Sequence, residues 1–300
     1  MYEDFFSSPP TWHRLCRAIE DLKESHKSLK VFPIGKSVLG RDITALSVGN
    51  PMNAVLFVGS THGMEWITTL LLLKFCEKLL QSLEKGGELA EINVAKALRQ
   101  RSLVIVPCLN PDGVEISLTG SQSAGELADF VESISGGDTL PWQANSRGVD
   151  INHNFDAGWT VLQEMERADG ITGPAPTRFG GEHPNSEPET QAITTFCMTY
   201  QPRSLYSFHS QGEEIYYRYG DRTPCRSQMM GQILASSCGY TLTSPAGLAS
   251  HGGLKDWFIQ TFARPGFTIE VGKGKNPLPI EDFRPLYSRL EEMLMIATLL

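Results

Sequence analysis

The sequence lacks the features that would direct a protein to a membrane or to nucleic acid. It has no apolar run approaching the roughly 18 residues that a transmembrane helix needs. It has no cluster of basic residues, and its 26 Lys and Arg are outnumbered by 34 Asp and Glu, for a formal net charge of −8. We therefore expect neither a nucleic acid nor a membrane surface as a partner, because both attract basic patches.

The sequence also lacks a secretory signal and paired cysteine motifs. The start, MYEDFFSSPP, is acidic and aromatic, whereas a signal peptide has a basic segment followed by an apolar one. This start predicts a cytoplasmic protein, or one whose leader has been removed. The six cysteines form no CxxC pair, and Cys76, Cys108 and Cys197 lie inside apolar patterns. Reduced thiols are expected, since disulfides are rare in the cytoplasm.

Apolar, β-rich runs alternate with amphipathic segments along the chain. The runs predict strands at 42–48, 54–59, 102–108, 204–209 and 267–271. The amphipathic segments predict helices at 67–83, 186–200 and 281–300, the second with a serine cap. This alternation favours an α/β fold, a three-layer α/β/α sandwich with a central mixed, largely parallel sheet. At 300 residues, we expect one domain spanning 1–300.

The segment between 119 and 185 is rich in Gly, Pro, Ser and Asp and shows little periodicity. A connection of this length is rarely idle in a compact domain, so it predicts a set of active-site loops. Sites in such folds form at the carboxyl ends of strands. Three of the polar residues discussed below, His62, His209 and Glu270, fall at or near predicted strand ends.

Two histidines and a glutamate form a candidate metal site. His62 and Glu65 stand three apart after an apolar run, and His209 ends another. Alone, such a pair is common as solvated neighbours on a helix, and a lone histidine is more often a core residue. Together they match a catalytic zinc, which takes three ligands of this type and leaves the fourth position to water. We predict one zinc ion (Zn²⁺) per chain, although the same ligands suit cobalt or manganese.

Two further carboxylates fit the same site. Glu270 lies in a run of β-formers without a local cationic partner, which suits a carboxylate directed at a metal-bound water. Asp150, in the run SRGVDINHNFD, is a candidate to accept the second ring N–H of His62, because a ligand histidine normally donates that hydrogen to a carboxylate. Glu270 is thus the predicted general base, and Asp150 the predicted support of a ligand.

Several ordered segments resemble the zinc carboxypeptidase family of metallopeptidases. They are HGMEW, VIVPCLNPDGVE, NSRGVDINHNFD, GGEHPNSEPET, SFHSQGE, HGGLKDW and FTIEVG. Within that family, HSQGEEIYY and GGLKDWFIQTFARPGFTIEVGKGKNPLP are most similar to the γ-D-glutamyl-L-diamino-acid endopeptidases. Those enzymes cut the bond between D-glutamate and meso-diaminopimelate in bacterial cell-wall peptides. The resemblance implies the family's fold and a small, murein tripeptide-like substrate.

The resemblance also implies a role for each matching residue. It makes His62, Glu65 and His209 the zinc ligands, and Glu270 the base that activates water and later protonates the leaving amine. It makes Arg147 the arginine that polarises the scissile carbonyl, which is electrostatic stabilisation of a developing oxyanion. The alternative for Arg147 is a surface arginine in a loop.

Two departures from the family pattern bear on the substrate. Asn152 is followed by His153, where the family usually has an arginine that clamps a terminal carboxylate. An imidazole offers one hydrogen bond, or a charged one at lower pH, so ordinary C-terminal carboxypeptidase action is placed in doubt. Asn152 and His153 stay candidates for substrate binding. The family's closing tyrosine is also missing from PAGLASHGG, where Leu248 stands near its place.

Lys255 stands where the family sets side-chain specificity. A lysine there would pair with the distal carboxylate of meso-diaminopimelate, and the alternative is a solvated lysine on a helix face. Glu213 and Glu214 are weaker candidates for the ammonium end of the same side chain.

Two other functions compete with the peptidase. One is a zinc amidohydrolase of the aspartoacylase or desuccinylase type, and the other is a non-catalytic homologue that binds muropeptides. The segments GGEHPNSEPET and FTIEVG favour the peptidase over the amidohydrolase. An intact ligand set with Glu270 argues against a pure binder, which has no need of a general base. The exact peptide, endopeptidase or carboxypeptidase mode, and the oligomeric state stay open.

Overall fold

The computed structural model describes residues 3–244 and 247–300. Its strands are β1 (Leu29–Lys36), β2 (Asp42–Val48), β3 (Val55–Val58), β4 (Glu88–Leu89), β5 (Ile92–Asn93), β6 (Leu103–Val106), β7 (Ser204–His209), β8 (Glu214–Tyr216), β9 (Thr241–Thr243) and β10 (Gly266–Glu270). Its α-helices are α1 (Trp12–Ser25), α2 (Ile67–Lys85), α3 (Val94–Ala97), α4 (Pro111–Thr119), α5 (Ala128–Ser135), α6 (Trp159–Ala168), α7 (Pro188–Tyr200), α8 (Arg226–Cys238), α9 (Leu254–Phe262) and α10 (Phe283–Leu299). Short 3₁₀ helices cover Glu3–Ser7, Gly63–Glu65, Ser121–Leu127, Ile151–His153, Gly247–Ser250 and Ile280–Asp282.

One mixed sheet organises the described residues. Eight strands follow the order β1-β2-β6-β3-β7-β10-β8-β9, and β4 and β5 form a separate hairpin. The four central strands, β6, β3, β7 and β10, run parallel, whereas β1 with β2, β2 with β6, and β10 with β8 pair antiparallel. The predicted mixed, largely parallel sheet is therefore confirmed.

Alternating side chains divide the sheet into two apolar faces. On β3, Val55 and Phe57 pack toward one side, while Leu56 and Val58 pack toward the other. The first side is covered by α1, α2, α8 and α10, and the second by α7 and α9. Helices on both faces of a sheet give the three-layer α/β/α sandwich that the alternating pattern predicts.

Every predicted strand and helix is present within two residues of its predicted ends. The predicted serine cap of α7 is wrong, because Glu187 occupies the N-cap and no described side chain caps the helix there. The Ser186 hydroxyl instead donates to the Glu187 carboxylate and accepts from Asn154. The loop prediction for 119–185 is also incomplete, since α5 and α6 form within it.

The missed helices have a physical explanation. α5 contributes Val131 to a small apolar cluster with Trp142, and α6 buries Leu162 together with the polar Gln163 and Glu166. Both helices are stabilised by contacts with distant residues rather than by a strong local period. Within the described part of the chain, no helix combines the length and apolar character needed to cross a bilayer.

The parallel arrangement brings three strand ends to one edge of the sheet. β3, β7 and β10 are successive parallel neighbours, so their carboxyl ends meet there. His209 on β7 pairs in register with Glu270 on β10, and the two side chains therefore lie on the same face. His62 follows the end of β3, which places all three residues around one cleft.

Candidate active site

The three predicted metal ligands converge beyond the ends of β3 and β7. Nδ1 of His62 lies 2.9 Å from Oε1 of Glu65, and Nδ1 of His209 lies 3.0 Å from Oε2 of Glu65. The two Nδ1 atoms are 3.3 Å apart. Among the described residues, these three side chains each offer one possible ligand atom, and the three atoms lie within 4.8 Å of one another. The structure thus assembles the predicted cluster from segments far apart in sequence.

The spacings fit a zinc ion. Zinc bonds of about 2.0–2.1 Å in tetrahedral geometry place neighbouring ligand atoms about 3.3 Å apart. The observed separations are 2.9, 3.0 and 3.3 Å. The ligand side chains therefore need to move only slightly apart to hold the ion. Glu65 and His209 are buried, and His62 borders the open cleft. This leaves one side of the cluster accessible, as a catalytic zinc requires.

A tight turn aims the first two ligands at one point. His62 precedes the 3₁₀ turn Gly63–Glu65, which continues into α2. A Cβ at Gly63 would lie 2.3 Å from the carbonyl oxygen of Gly113, so only glycine allows this approach. Asn110 Nδ2, at the N-cap of α4, lies 3.1 Å from the Thr61 carbonyl and helps to hold the turn. The motif NPDG predicts the start of α4, with an N-cap residue followed by Pro at N1. It does not predict the contact of Asn110 with the turn that carries the ligands, because the two are far apart in sequence.

Charges around the ligands keep Glu65 ionised. Burial raises the pKa of Glu65, but the imidazoles of His62 and His209 outweigh burial and lower it to about 2. Burial likewise opposes the charged form of His62, yet Glu65 and Asp150 hold its pKa well above the usual value. A carboxylate that is ionised at neutral pH is the form that binds a metal.

Asp150 lies beside His62, where a carboxylate that supports this ligand is predicted. Its Oδ1 lies 3.2 Å from Nε2 of His62, an ion-pair contact rather than an aligned hydrogen bond. Burial raises the pKa of Asp150, but the charges of His62 and His153 lower it overall, with help from the backbone N–H of Arg178. On the other ligand, Nε2 of His209 is 3.1 Å from the Ser207 hydroxyl. Both ligand rings therefore have a polar neighbour on their far side.

Glu270 lines the same cleft as the ligands His62 and His209. Burial raises its pKa well above the usual value, and the charge of Glu65 raises it further, while His62 lowers it and Glu214 raises it. Glu270 therefore lies where the prediction puts the general base, and its role as the base stays a prediction.

The cleft has a volume of about 300 Å³. This is at the lower end of the range for small-molecule sites, and it suits a short peptide. Besides His62, His209 and Glu270, it is lined by the predicted residues Asp150, Asn152, His153 and Lys255. Apart from the weaker candidates Glu213 and Glu214, which do not line the cleft, the structure thus brings together all but one of the residues predicted to bind or react with substrate.

Arg147 is the exception, and its position contradicts the predicted contact with the scissile carbonyl. It is not among the described residues that line the cleft, and its half-exposed guanidinium lies 3.6 Å from Glu187 beside a different cavity near Leu127. The reason is a turn in which Asn145 Oδ1 accepts from the Arg147 N–H, with Gly148 at φ 69°. The turn directs the side chain outward, and the alternative of a surface arginine is the one the structure supports.

Lys255 is buried rather than solvated. Its side chain lines the cleft, contacts the carboxylate of Asp256, and donates from Nζ to the Arg218 carbonyl at 2.9 Å. Burial raises the pKa of Asp256, although the neighbouring Lys255 lowers it in part. The alternative of a lysine on a wet helix face is therefore wrong. The cleft contains a buried ion pair at this point, because Asp256 also lines it.

His153 is held by a buried carboxylate. Its Nδ1 lies 2.9 Å from Oε1 of Glu166 and 3.0 Å from the Arg178 carbonyl. Burial lowers the pKa of His153, but Asp150 and Glu166 raise it overall. Asn152 uses its Oδ1 to accept from the Leu254 N–H at 3.1 Å, which ties this loop to α9.

Glu213 does not reach the cleft. It pairs with Lys273 at 2.9 Å and with Arg289, so its prediction as an ammonium ligand is wrong. Glu214 accepts from the hydroxyl of Tyr216, whose side chain lines the cleft. Leu248 also lines the cleft, whereas residues 245 and 246 of the PAGLASHGG segment lie outside the described residues.

Sequence reasoning missed several residues of the cleft. Gln143, Arg178, Tyr216, Thr268 and Asp256 all line it. The period-two pattern of β10 signals Thr268, which shares a face with Glu270. The others stand on loops, on the neighbouring strand and next to Lys255, where no local pattern reports which side chain turns inward.

Comparison with known proteins agrees with this geometry. The model of the zinc carboxypeptidase family matches residues 15–293. The chain is 34% identical over 276 residues to γ-D-glutamyl-L-diamino acid endopeptidase 1 of Lysinibacillus sphaericus, covering 90% of this chain and 67% of that protein. It is also 34% identical over 284 residues to the uncharacterized protein YqgT of Bacillus subtilis strain 168, covering 91% and 74%.

The fold is shared with a solved structure of low sequence identity. Bovine thrombin-activatable fibrinolysis inhibitor, solved with a tick carboxypeptidase inhibitor, superposes with a TM-score of 0.75 at 20% identity, covering 98% of this chain and 97% of that one. The predicted fold class is confirmed, and the ligand set fits the metal that the family uses. The chain belongs to the zinc carboxypeptidase family and is a zinc metallopeptidase.

Proposed function

We propose that this protein hydrolyses the amide bond between γ-D-glutamate and meso-diaminopimelate in murein peptides. The relative of 34% identity named as a γ-D-glutamyl-L-diamino acid endopeptidase supports the substrate class. The observation that carries the proposal is the buried Lys255–Asp256 ion pair, because it lines the same cleft as His62, His209 and Glu270. The pair presents one positive and one negative charge, a pattern that apolar or singly charged substrate side chains do not complement.

The chemistry proposed for the site is proton transfer beside a metal. Zinc held by His62, Glu65 and His209 would supply Lewis-acid polarisation of the scissile carbonyl and would activate water for attack. Glu270 accepts a proton from the attacking water and passes it to the leaving nitrogen. The C–N bond then breaks to a free amine, and the oxygen of the water remains in the new carboxylate. The position of Glu270 in the same cleft as His62 and His209 supports this role.

The ion pair is proposed to recognise the end of the diaminopimelate side chain. That end carries an ammonium and a carboxylate, so Lys255 can meet the carboxylate while Asp256 meets the ammonium. A substrate with a carboxylate alone must compete with Asp256 for Lys255, and a substrate with an ammonium alone meets Lys255 as a like charge. Lys255 is 4% exposed and Asp256 is 1% exposed, so a mismatch is not relieved by solvent.

The test of function uses synthetic tripeptides and mass detection of products. Wild-type protein loaded with zinc is expected to release free diaminopimelate from L-Ala-γ-D-Glu-meso-diaminopimelate, and chelator is expected to abolish the release. Glu270→Gln should bind the peptide without turnover, with a loss of about 100-fold or more in kcat. Cleavage of α-linked peptides or of N-acyl amino acids in place of the γ-linked peptide would overturn the proposal. Equal turnover by Glu270→Gln would remove that residue as the base.

The test of recognition compares side chains at the diamino-acid position. Lys255→Met removes the charge while keeping an apolar stem, and we expect KM to rise for the diaminopimelate peptide far more than for the L-lysine peptide. Lys27→Met, at an exposed position on the surface, serves as the matched control. An equal rise for both peptides would contradict the assignment of Lys255 to the substrate's distal carboxylate.

A further inference from the structure

We propose that Arg178 binds a carboxylate of the peptide substrate at the mouth of the cleft. This inference rests on the proposed function, since it concerns how the same cleft holds an anionic murein peptide. Arg178 lies on the loop between α6 and α7 and lines the same cleft as the ligands His62 and His209. Neither the composition nor the spacing of the sequence marks it.

The backbone of Arg178 is anchored to the residues that surround the metal site. Its N–H donates to Oδ2 of Asp150 at 3.1 Å, and its carbonyl oxygen accepts from Nδ1 of His153 at 3.0 Å. Its φ of 70° lies in the left-handed region, which long side chains adopt rarely because it is strained. The loop is therefore held in a conformation that residue type alone does not favour, and these backbone contacts place residue 178 among those that line the cleft.

The guanidinium of Arg178 has no strong partner among the described residues. The nearest recorded carboxylate oxygen is Oδ2 of Asp169 at 3.9 Å, and the two side chains are 52% and 53% exposed. A solvent-exposed contact of this length contributes little to stability. Lys255, in contrast, is paired with Asp256 inside the cleft. Arg178 thus offers a long cationic side chain that is free to bind a ligand.

The chemistry of a guanidinium selects a carboxylate. Its planar fork donates two parallel hydrogen bonds to the two oxygens, which a single imidazole such as His153 cannot do. The proposed substrate has two carboxylates within reach of a small cleft. One is the α-carboxylate of the γ-linked D-glutamyl residue, and the other is the carboxylate of the diaminopimelyl residue next to the scissile amide. Both groups are carboxylates that Arg178 could bind in the same way, and the experiment below distinguishes them.

The experiment compares three peptides in the zinc-loaded enzyme. They are L-Ala-γ-D-Glu-meso-diaminopimelate, the same peptide with the glutamyl α-carboxylate converted to an amide, and the same peptide with the diaminopimelyl carboxylate next to the scissile amide converted to an amide. For Arg178→Gln, we expect KM to rise about 10- to 100-fold on the parent peptide, with kcat little changed. The rise should vanish on the one peptide that lacks the carboxylate bound by Arg178. Arg178→Lys should recover part of the affinity, since it keeps the charge and loses the fork.

Two controls separate binding from structure. Arg222→Gln removes an exposed arginine that does not line the cleft and should behave as wild type. Zinc affinity should be the same in Arg178→Gln and wild type, because the hydrogen bond to Asp150 comes from the backbone of residue 178 and survives the substitution. A fall in zinc affinity, or an equal rise in KM on all three peptides, would overturn the proposal.

Binding measurements keep this inference distinct from the proposed function. Calorimetric titration of wild type and Arg178→Gln with the three peptides gives the same comparison without turnover. If the wild type binds the parent peptide but does not cleave it, the proposed function fails, and selective weakening in Arg178→Gln still supports the inference. If the wild type cleaves the peptide and Arg178→Gln binds all three peptides as tightly as the wild type does, the inference fails alone.

Discussion

The buried carboxyl group of Glu189 predicts a pH dependence of stability that can be measured directly. Glu189 lies in the first turn of α7 and is fully buried. Its Oε1 accepts from the Val38 N–H at 3.1 Å, and its Oε2 accepts from Asn145 Nδ2 at 3.2 Å. Burial and the nearby charge of Asp112 raise its pKa to about 7, despite these hydrogen bonds.

The direction of the pH dependence of stability follows from which state of the protein, folded or unfolded, loses the Glu189 proton first. Below pH 4.5, the ordinary pKa of the group, Glu189 is protonated in both folded and unfolded protein, and its contribution to stability is fully present. Between pH 4.5 and 7, the unfolded chain is ionised while the folded protein keeps the proton, so stability falls as pH rises. The two pKa values differ by about 2.5, and at about 1.36 kcal/mol for each pH unit the loss approaches about 3 kcal/mol. Above pH 7, the contribution is absent and the dependence levels off.

The assay is urea unfolding of wild type and Glu189→Gln at intervals from pH 4.5 to 7.5. The unfolding free energy of the wild type minus that of Glu189→Gln should fall by about 3 kcal/mol as pH rises over this range, because glutamine does not titrate. Titration of the metal ligands affects both proteins and cancels in the difference. Glu182→Gln, at an exposed position, should follow the wild type throughout. A difference that stays constant across this range would refute the assignment of a raised pKa to Glu189.

Three further predictions concern the site and the core. Asp150→Ala should lower zinc affinity about 10- to 100-fold in a chelator competition, and unchanged affinity would show that its contact with the ligand histidine has no effect. Asp256→Asn leaves Lys255 buried without its carboxylate and should reduce the unfolding free energy by about 3–5 kcal/mol, whereas a loss under about 1 kcal/mol would contradict this. The thiols of Cys16 and Cys225 are exposed, so they alone should react with Ellman's reagent before unfolding; rapid reaction of all six would be the contrary result.

Local patterns predict the part of this protein that depends on periodicity. The apolar runs locate β3, β7 and β10, and a period of two residues places His209 and Glu270 on the face opposite to Phe208 and Ile269. Their parallel pairing then brings the strand ends together. The metal site is readable from the sequence for this reason, since its residues lie at strand ends or within one turn.

Side-chain directions in the loops follow from contacts that the sequence does not show. Arg147 was predicted to face the substrate, but the hydrogen bond from its N–H to Asn145 turns it outward toward Glu187. Arg178 carries no signal in the sequence, yet the bonds of its backbone to Asp150 and His153 place it at the cleft. The direction of a loop side chain depends on such distant partners, and no local period reports them.

The sequence by itself determined the positions of β2, β3, β6, β7, β10, α2, α7 and α10 and supplied the candidate metal ligands, because these depend on residue type and on spacing within single elements. Only the tertiary structure decided that Lys255 is buried in an ion pair with Asp256 and that Arg178, rather than Arg147, lines the cleft. The physical reason is that burial and charge pairing arise when separate elements pack. The sequence of a helix alone does not show the partner of its lysine, because the ion pair forms only when neighbouring residues pack around the side chain and exclude water.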